Sequence, residues 1–379
     1  MTAEGTRRLV AGHALFFPAA ALYALLILPA SVLAMTGHLA ALPGLTSPTG
    51  HAHEMLFGFA LAVVAGNQLG PVAVPRLAAL FALWAVARAA FLLAPHGLVA
   101  AAANSAFAAL LAVRLAPRML GAAKKLRNQA LPLVLTGICI SGIAFHLATL
   151  VGVGPDRQRV LSVAVPLFAL LLLFMGGRIV APAVAGQFYR QGGNLDARVQ
   201  PRIEVGLIVS MAVAVAATAA PEGMRLTPLG AVALAAAGVL AAVRLLRWRL
   251  WALRGRPDLL CLAAGYGWLS LGLIAYGGAL AVGRSQTAAL HVITVGGLGT
   301  LTLNVMAMTV ALKARRDPSR AGLPVWATLL VGAATVTRAL AGVETSHPKA
   351  LLLFASLCWS GGFGLLLLQW VRPPRLDPS

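Results

Sequence analysis

Residues 159–182 read RVLSVAVPLFALLLLFMGGRIVAP, and this stretch decides the fold. No charged side chain stands between Arg159 and Arg178, and Leu, Val and Ala follow one another without the period-2 alternation of a barrel strand. A hydrocarbon core about 30 Å thick is crossed by roughly 20 such residues in helical form, with every backbone group bonded internally. Eleven further runs of the same kind flank it, giving approximate spans 13–35, 51–72, 76–95, 97–117, 129–151, 159–182, 203–220, 228–247, 258–280, 287–312, 321–341 and 350–371. The composition agrees. Of 379 residues, 60% are hydrophobic and 11% charged, and the mean hydropathy is +0.86. The expected architecture is an all-α polytopic membrane protein of about 12 transmembrane helices. It forms a single integral domain over residues 1–379, with no soluble module and no dividing linker.

The net charge of +20 would suit a nucleic-acid binder if the 30 Lys and Arg formed one patch. They sort by loop instead. The two termini and the loops after the second, fourth, sixth, eighth and tenth spans hold 23; the opposite side holds six, Arg157, Arg159, Arg225, Arg284, Arg338 and Lys349, with Arg88 left inside the third span. The positive-inside rule therefore predicts both termini in the cytoplasm and an even number of spans. Clusters such as Lys124-Lys125-Leu126-Arg127 and Arg244 to Arg256 are expected against anionic lipid head groups of the bilayer, not against nucleic acid.

Arg7 and Arg8 precede an apolar run as in a signal peptide, but the run is long and no small-residue cleavage site follows, so an uncleaved first helix is predicted. Cys139, Cys261 and Cys358 lie inside spans without CxxC spacing and read as small buried hydrophobes. Pro71 to Pro75 and Ala94 to Gly97 are tight connections, whereas residues 183–202 read as a long polar loop carrying Gly192-Gly193-Asn194. Spans two, six and ten each combine a Gly-rich stretch with a polar residue in the inner half: Asn67, beside Gln68, then Arg178 and Asn304.

The second span opens with His51-Ala52-His53-Glu54-Met55-Leu56-Phe57-Gly58. Ionisable residues in a membrane are expensive and usually functional. Seven of the eight histidines fall at or near the outer face, and only His13 is inner. His38, His96 and His347 are loop residues and read as solvated. His51, His53, His146 and His291 lie in or beside hydrophobic helices at similar depth. Neutral imidazole is the commonest protein ligand for transition metals and haem iron, and convergence from several helices is how a bundle builds a cofactor site. Residues two apart are separated by about 200° around a helix, so His51 and His53 are not expected to share one small ion. His51, Glu54 and Met55 share a face, which makes Glu54 the expected orienting partner of His51, or a carboxylate in the first turn of the helix. Arg88 and Arg338 need partners at their depth. A haem propionate suits either, with pairing to Glu54 or a local water defect as the alternatives. The stretch Leu290 to Met306 sets Gly296, Gly297 and Gly299 among Thr294, Thr300 and Thr302, a surface on which a helix or a flat ligand approaches closely.

The HxHEMLFGF opening, Phe145-His146-Leu147, Met175-Gly176-Gly177-Arg178 and the Leu290 to Met306 stretch, in this order over essentially the whole chain, resemble the NnrS family. The resemblance implies a multi-pass protein of the bacterial cytoplasmic membrane, containing haem and copper and associated with nitric oxide and nitrosative stress. By this reading His51, His53, His146, His291, Arg88 and Arg338 bind cofactor, with His51, His53 and His291 as metal ligands. Two stretches depart from the family pattern. Leu262-Ala263-Ala264-Gly265-Tyr266-Gly267-Trp268 lacks a histidine in span nine, and Ala307 to Arg316 replaces the usual loop after span ten. Both departures bear chiefly on copper. A second likeness is to the haem-copper oxidase catalytic subunit, whose low-spin haem is held by histidines on helices two and ten; here those helices carry His51, His53 and His291. Span six has no histidine, so the paired imidazoles of a copper centre are missing.

Three classes of function follow. The first is a haem or haem-copper protein of the nitric oxide response, with nitric oxide as its small ligand. The second is a transporter without a metal, suggested by Asn67, Gln68, Arg88 and Asn304 inside spans. The third is a haem-dependent reductase of nitric oxide or another nitrogen oxide, which needs a redox partner and a proton path.

Overall fold

The computed structural model describes residues 9–122, 126–151, 156–221, 224, 226–343 and 347–371. Arg7, Arg8, Lys124, Lys125, Arg225, Arg372 and Arg375, counted in the charge pattern, lie outside these residues. The described chain is almost wholly helical. In order the helices are α1 (His13–Met35), α2 (Pro48–His53, continued by Glu54–Ala60 and Leu61–Gln68), α3 (Val74–Leu93), α4 (Leu98–Ala122), α5 (Leu126–Val151) and α6 (Arg157–Met175, continued by Gly176–Val180 and Ala181–Arg190). There follow α7 (Pro201–Ala219), α8 (Thr227–Arg247), α9 (Pro257–Ala281), α10 (Thr287–His291, continued by Val292–Gly299 and Thr300–Lys313), α11 (Gly322–Leu340) and α12 (Pro348–Val371).

Eleven described helices are long and apolar enough to cross a membrane, so this is an all-α polytopic membrane protein. The exception is α2, whose first two turns carry His51, His53 and Glu54 and dilute its hydropathy. Large side chains such as Leu98, Val113, Val232 and Leu357 are exposed on the helix flanks, as a surface solvated by lipid requires.

Packing follows chain order and then closes on itself. Each helix from α3 to α12 packs on the next, and α12 returns to α1, where Trp359 Nε1 donates to the Ala24 carbonyl at 2.9 Å and Ser360 Oγ to the Leu25 carbonyl at 2.8 Å. Inside the ring stand α6 and α10, each with 72% of its apolar window buried, against 17–56% for the other candidate spans. The middle of α2, Leu56 to Gly66, is buried throughout. These are the three spans grouped in the sequence by glycine and an inner polar residue. Each contains a π-helical stretch, at Glu54–Ala60, Gly176–Val180 and Val292–Gly299. Single π turns inside α-helices are frequent at functional sites, because the extra residue per turn re-aims the side chains beyond it.

Contacts outside the spans show which helix ends lie together. Leu9–Ala11 pairs antiparallel with Pro71–Ala73, which puts the segment before α1 beside the end of α2. Arg256, before α9, donates to Gln187 at the end of α6 and to Asp258. At the other end, Gly44, before α2, approaches the Phe91 carbonyl at the end of α3 so closely that a Cβ would stand 2.3 Å from it. The segment before α1 and the end of α2 therefore share a side, as do the end of α6 and the start of α9.

One expected loop is helix. Residues 183–202 were expected as polar connection, but α6 runs to Arg190. Pro182 follows directly on the π-helical turn Gly176–Val180 without ending the helix, which stops just before Gly192, whose φ is +76°.

Candidate functional site

The opening of α2 is built by its cap. Ser47 Oγ accepts from the Gly50 N–H at 3.1 Å and Pro48 occupies the first turn. The helix thus begins three residues before His51, and Glu54 falls in its second turn. The expected first-turn role of Glu54 is accordingly replaced by Ser47.

Glu54 is fully buried and receives three donors: Tyr23 Oη at Oε2, and Arg88 Nη1 at 2.5 Å and His53 Nδ1 at 2.8 Å, both at Oε1. The expected His51–Glu54 contact is not formed. Arg88, 4% exposed and also donating to Asn104 Oδ1, holds the carboxylate on the side of α3 and α4, where His53 lies. Among the candidates for Arg88, the partner is Glu54. A carboxylate with three donors is an acceptor only, so the proton lies on His53 Nδ1. The Nε2 of His53 then accepts from His146 Nε2 at 2.9 Å, leaving His146 Nδ1 buried without a partner. Aromatic rings enclose the pair: Phe91 stacks on His53 at 3.8 Å between centroids, and Phe145 lies at 4.6 Å. The network joins α1 through α5.

Gly58 makes room for it. A Cβ there would lie 2.8 Å from Arg88 Nη1 and 3.2 Å from Glu54 Oε2. Gly58→Val is expected to destabilise the protein by about 1–3 kcal/mol, the usual cost of overpacking. A lowered thermal unfolding midpoint in detergent checks this, and an unchanged midpoint contradicts the close fit.

His51 and His291 form a separate neighbourhood. His51, on α2, lies within electrostatic reach of Arg338 on α11, and His291, on α10, within reach of both Arg338 and His51. His291 Nδ1 donates to the Thr287 carbonyl at 2.7 Å. A carbonyl only accepts, so in neutral His291 the lone pair is on Nε2. His51 Nδ1 is buried and unpartnered. The four histidines expected at one site are thus divided two and two, because adjacent faces of α2 address different neighbours. Met55 packs half-buried against the cluster of Ile27, Ala34 and Leu45. Among the described residues, no three His, Cys, Asp or Glu side chains gather as a metal-ligand set.

The inner-half polar residues part company. Asn67 and Gln68 line a small cavity of about 60 Å³ between α2, α6, α9 and α10, walled by Phe168, Met175 and Leu301. Asn304 Nδ2 donates to the Thr300 carbonyl and to Thr328 Oγ1. Arg178 is exposed and lines a different cavity.

Sequence reasoning missed Tyr23 and Asn104. Asn104 carried a signal, as a lone amide in an Ala-rich span. Tyr23 carried none, since a tyrosine in a span is as often a packing residue.

A family model described as NnrS protein matches residues 8–373. No curated protein and no solved structure matches the chain.

Proposed function

Because the chain belongs to the NnrS family, we propose that it is a haem-containing protein of the bacterial cytoplasmic membrane that acts in the response to nitric oxide. The observation that carries this reading is the neighbourhood of His51, His291 and Arg338. His51 Nδ1 is buried without a protein partner, His291 is oriented through Nδ1 by a backbone carbonyl so that its Nε2 carries the lone pair, and Arg338 lies within electrostatic reach of both. This donor set fits haem: His51 and His291 would hold the iron, and Arg338 would answer a propionate. When bound, haem iron would supply a centre with affinity for nitric oxide.

The chain's own residues define what surrounds that centre. The Thr287 carbonyl fixes the His291 tautomer and ring orientation, as the outer partners of metal-bound histidines do. The Glu54–His53–His146 chain, with Tyr23 on the same carboxylate, offers a hydrogen-bonded line along which a proton is held at His53 Nδ1 and at His146 Nε2. Copper finds no comparable set. His53 Nε2 is engaged by His146, and the described residues supply no third ligand, so no step is derived through it.

The test is cofactor content. A pyridine haemochrome assay on protein purified from the membrane should give stoichiometric haem; its absence would remove the reading and leave transport ahead.

A further inference from the structure

On the arginine-rich side of the protein a second cavity, of about 320 Å³, opens between α6, α7 and α8. Its wall has two parts. Leu170, Phe174 and Ile208 make it apolar toward the membrane interior, while Arg178, Arg198 and Arg244, with Glu204, make its other end polar. Arg244 is 4% exposed; its Nη2 donates to Glu204 Oε1 at 2.9 Å and its Nη1 to the Leu173 carbonyl at 3.1 Å, and its Nε has no partner. Arg178 and Arg198 are exposed, and among the described residues neither guanidinium has a hydrogen bond or ion pair. One carboxylate thus faces three guanidinium groups.

The Met175-Gly176-Gly177-Arg178 motif builds this arrangement. A Cβ at Gly177 would stand 2.2 Å from Arg244 Nη2, so only glycine lets the buried guanidinium cross α6. A Cβ at Gly176 would meet the Tyr266 ring at 2.3 Å. The π-helical turn Gly176–Val180 carries Arg178 into the cavity wall. Nothing in the histidine sites uses these residues.

We propose that this cavity binds an anionic phospholipid, with the phosphate between Arg178 and Arg198 and an acyl chain along Leu170, Phe174 and Ile208. Guanidinium forks match phosphate oxygens in geometry as well as charge, and basic pockets between membrane helices hold anionic head groups. The apolar half of the wall selects a lipid over free phosphate. A zwitterionic head group leaves the surplus charge unanswered.

The experiment uses the full-length protein purified in detergent and offered phosphatidylglycerol, phosphatidylcholine or inorganic phosphate, with bound lipid read by native mass spectrometry and the unfolding midpoint by thermal melting. Phosphatidylglycerol should be retained and should raise the midpoint. In the Arg178→Gln/Arg198→Gln variant its apparent affinity should fall by about tenfold or more. Both side chains are exposed, so the variant folds. A control, Arg315→Gln/Arg316→Gln, removes two exposed charges from the loop after α10 and should keep most of the affinity. Equal retention of phosphatidylcholine, equal loss in the control, or the same midpoint shift with inorganic phosphate alone would each overturn the proposal.

Discussion

Arg88→Met should lower the stability of the protein by about 3–5 kcal/mol, the cost of leaving one partner of a buried ion pair without the other. Glu54 has no exposure, and its remaining donors, Tyr23 and His53, are neutral. Asn104 Oδ1 loses the guanidinium at the same time. Methionine fills much the same volume, so the effect is electrostatic and not a cavity. The double variant Glu54→Gln/Arg88→Met tests this directly: the amide oxygen accepts from His53, the amide NH2 donates to the Tyr23 hydroxyl oxygen, the group carries no charge, and most of the lost stability should return. Thermal unfolding of wild type, both single variants and the double variant in one detergent gives the coupling. A single-variant loss below about 1 kcal/mol, the range of solvated pairs, would mean that water reaches Glu54.

The second large effect is spectroscopic and separates the two histidine pairs. His291→Ala or His51→Ala should abolish or strongly shift the haem absorption, since each removes a proposed ligand nitrogen. His53→Ala should leave the absorption in place and act instead on stability, because His53 is engaged on both nitrogens by Glu54 and His146. The same split should appear in haem content after purification. An unchanged spectrum in His291→Ala excludes it as a ligand. A spectrum lost only in His53→Ala would move the haem to the other pair.

Much of the architecture was legible in the chain because the physics behind it is local or one-dimensional. Apolar length fixed the helices, and two of the loop pairings that the sorting of Lys and Arg predicts are present, in the Leu9–Ala11 pairing with Pro71–Ala73 and the Arg256–Gln187 contact. That His51 and His53 serve different neighbours also followed from helix geometry alone. The partner of Glu54 did not. The i, i+3 rule favoured His51, yet a π-helical stretch begins at Glu54, and its direction is set by Arg88 and Tyr23 from helices distant in sequence. No spacing along one chain encodes that. The recurring pattern of glycine in spans two, six and ten was visible, but its meaning was not, since burial at the centre of a closed ring emerges only when α12 meets α1.

The central claim is a haem between α2 and α10 that meets nitric oxide. It is tested most directly by the absorption spectrum of the purified protein, oxidised, reduced and then exposed to nitric oxide. A Soret band that moves on reduction and again on addition of nitric oxide is the predicted result; no Soret band, or one indifferent to nitric oxide in both oxidation states, would contradict it.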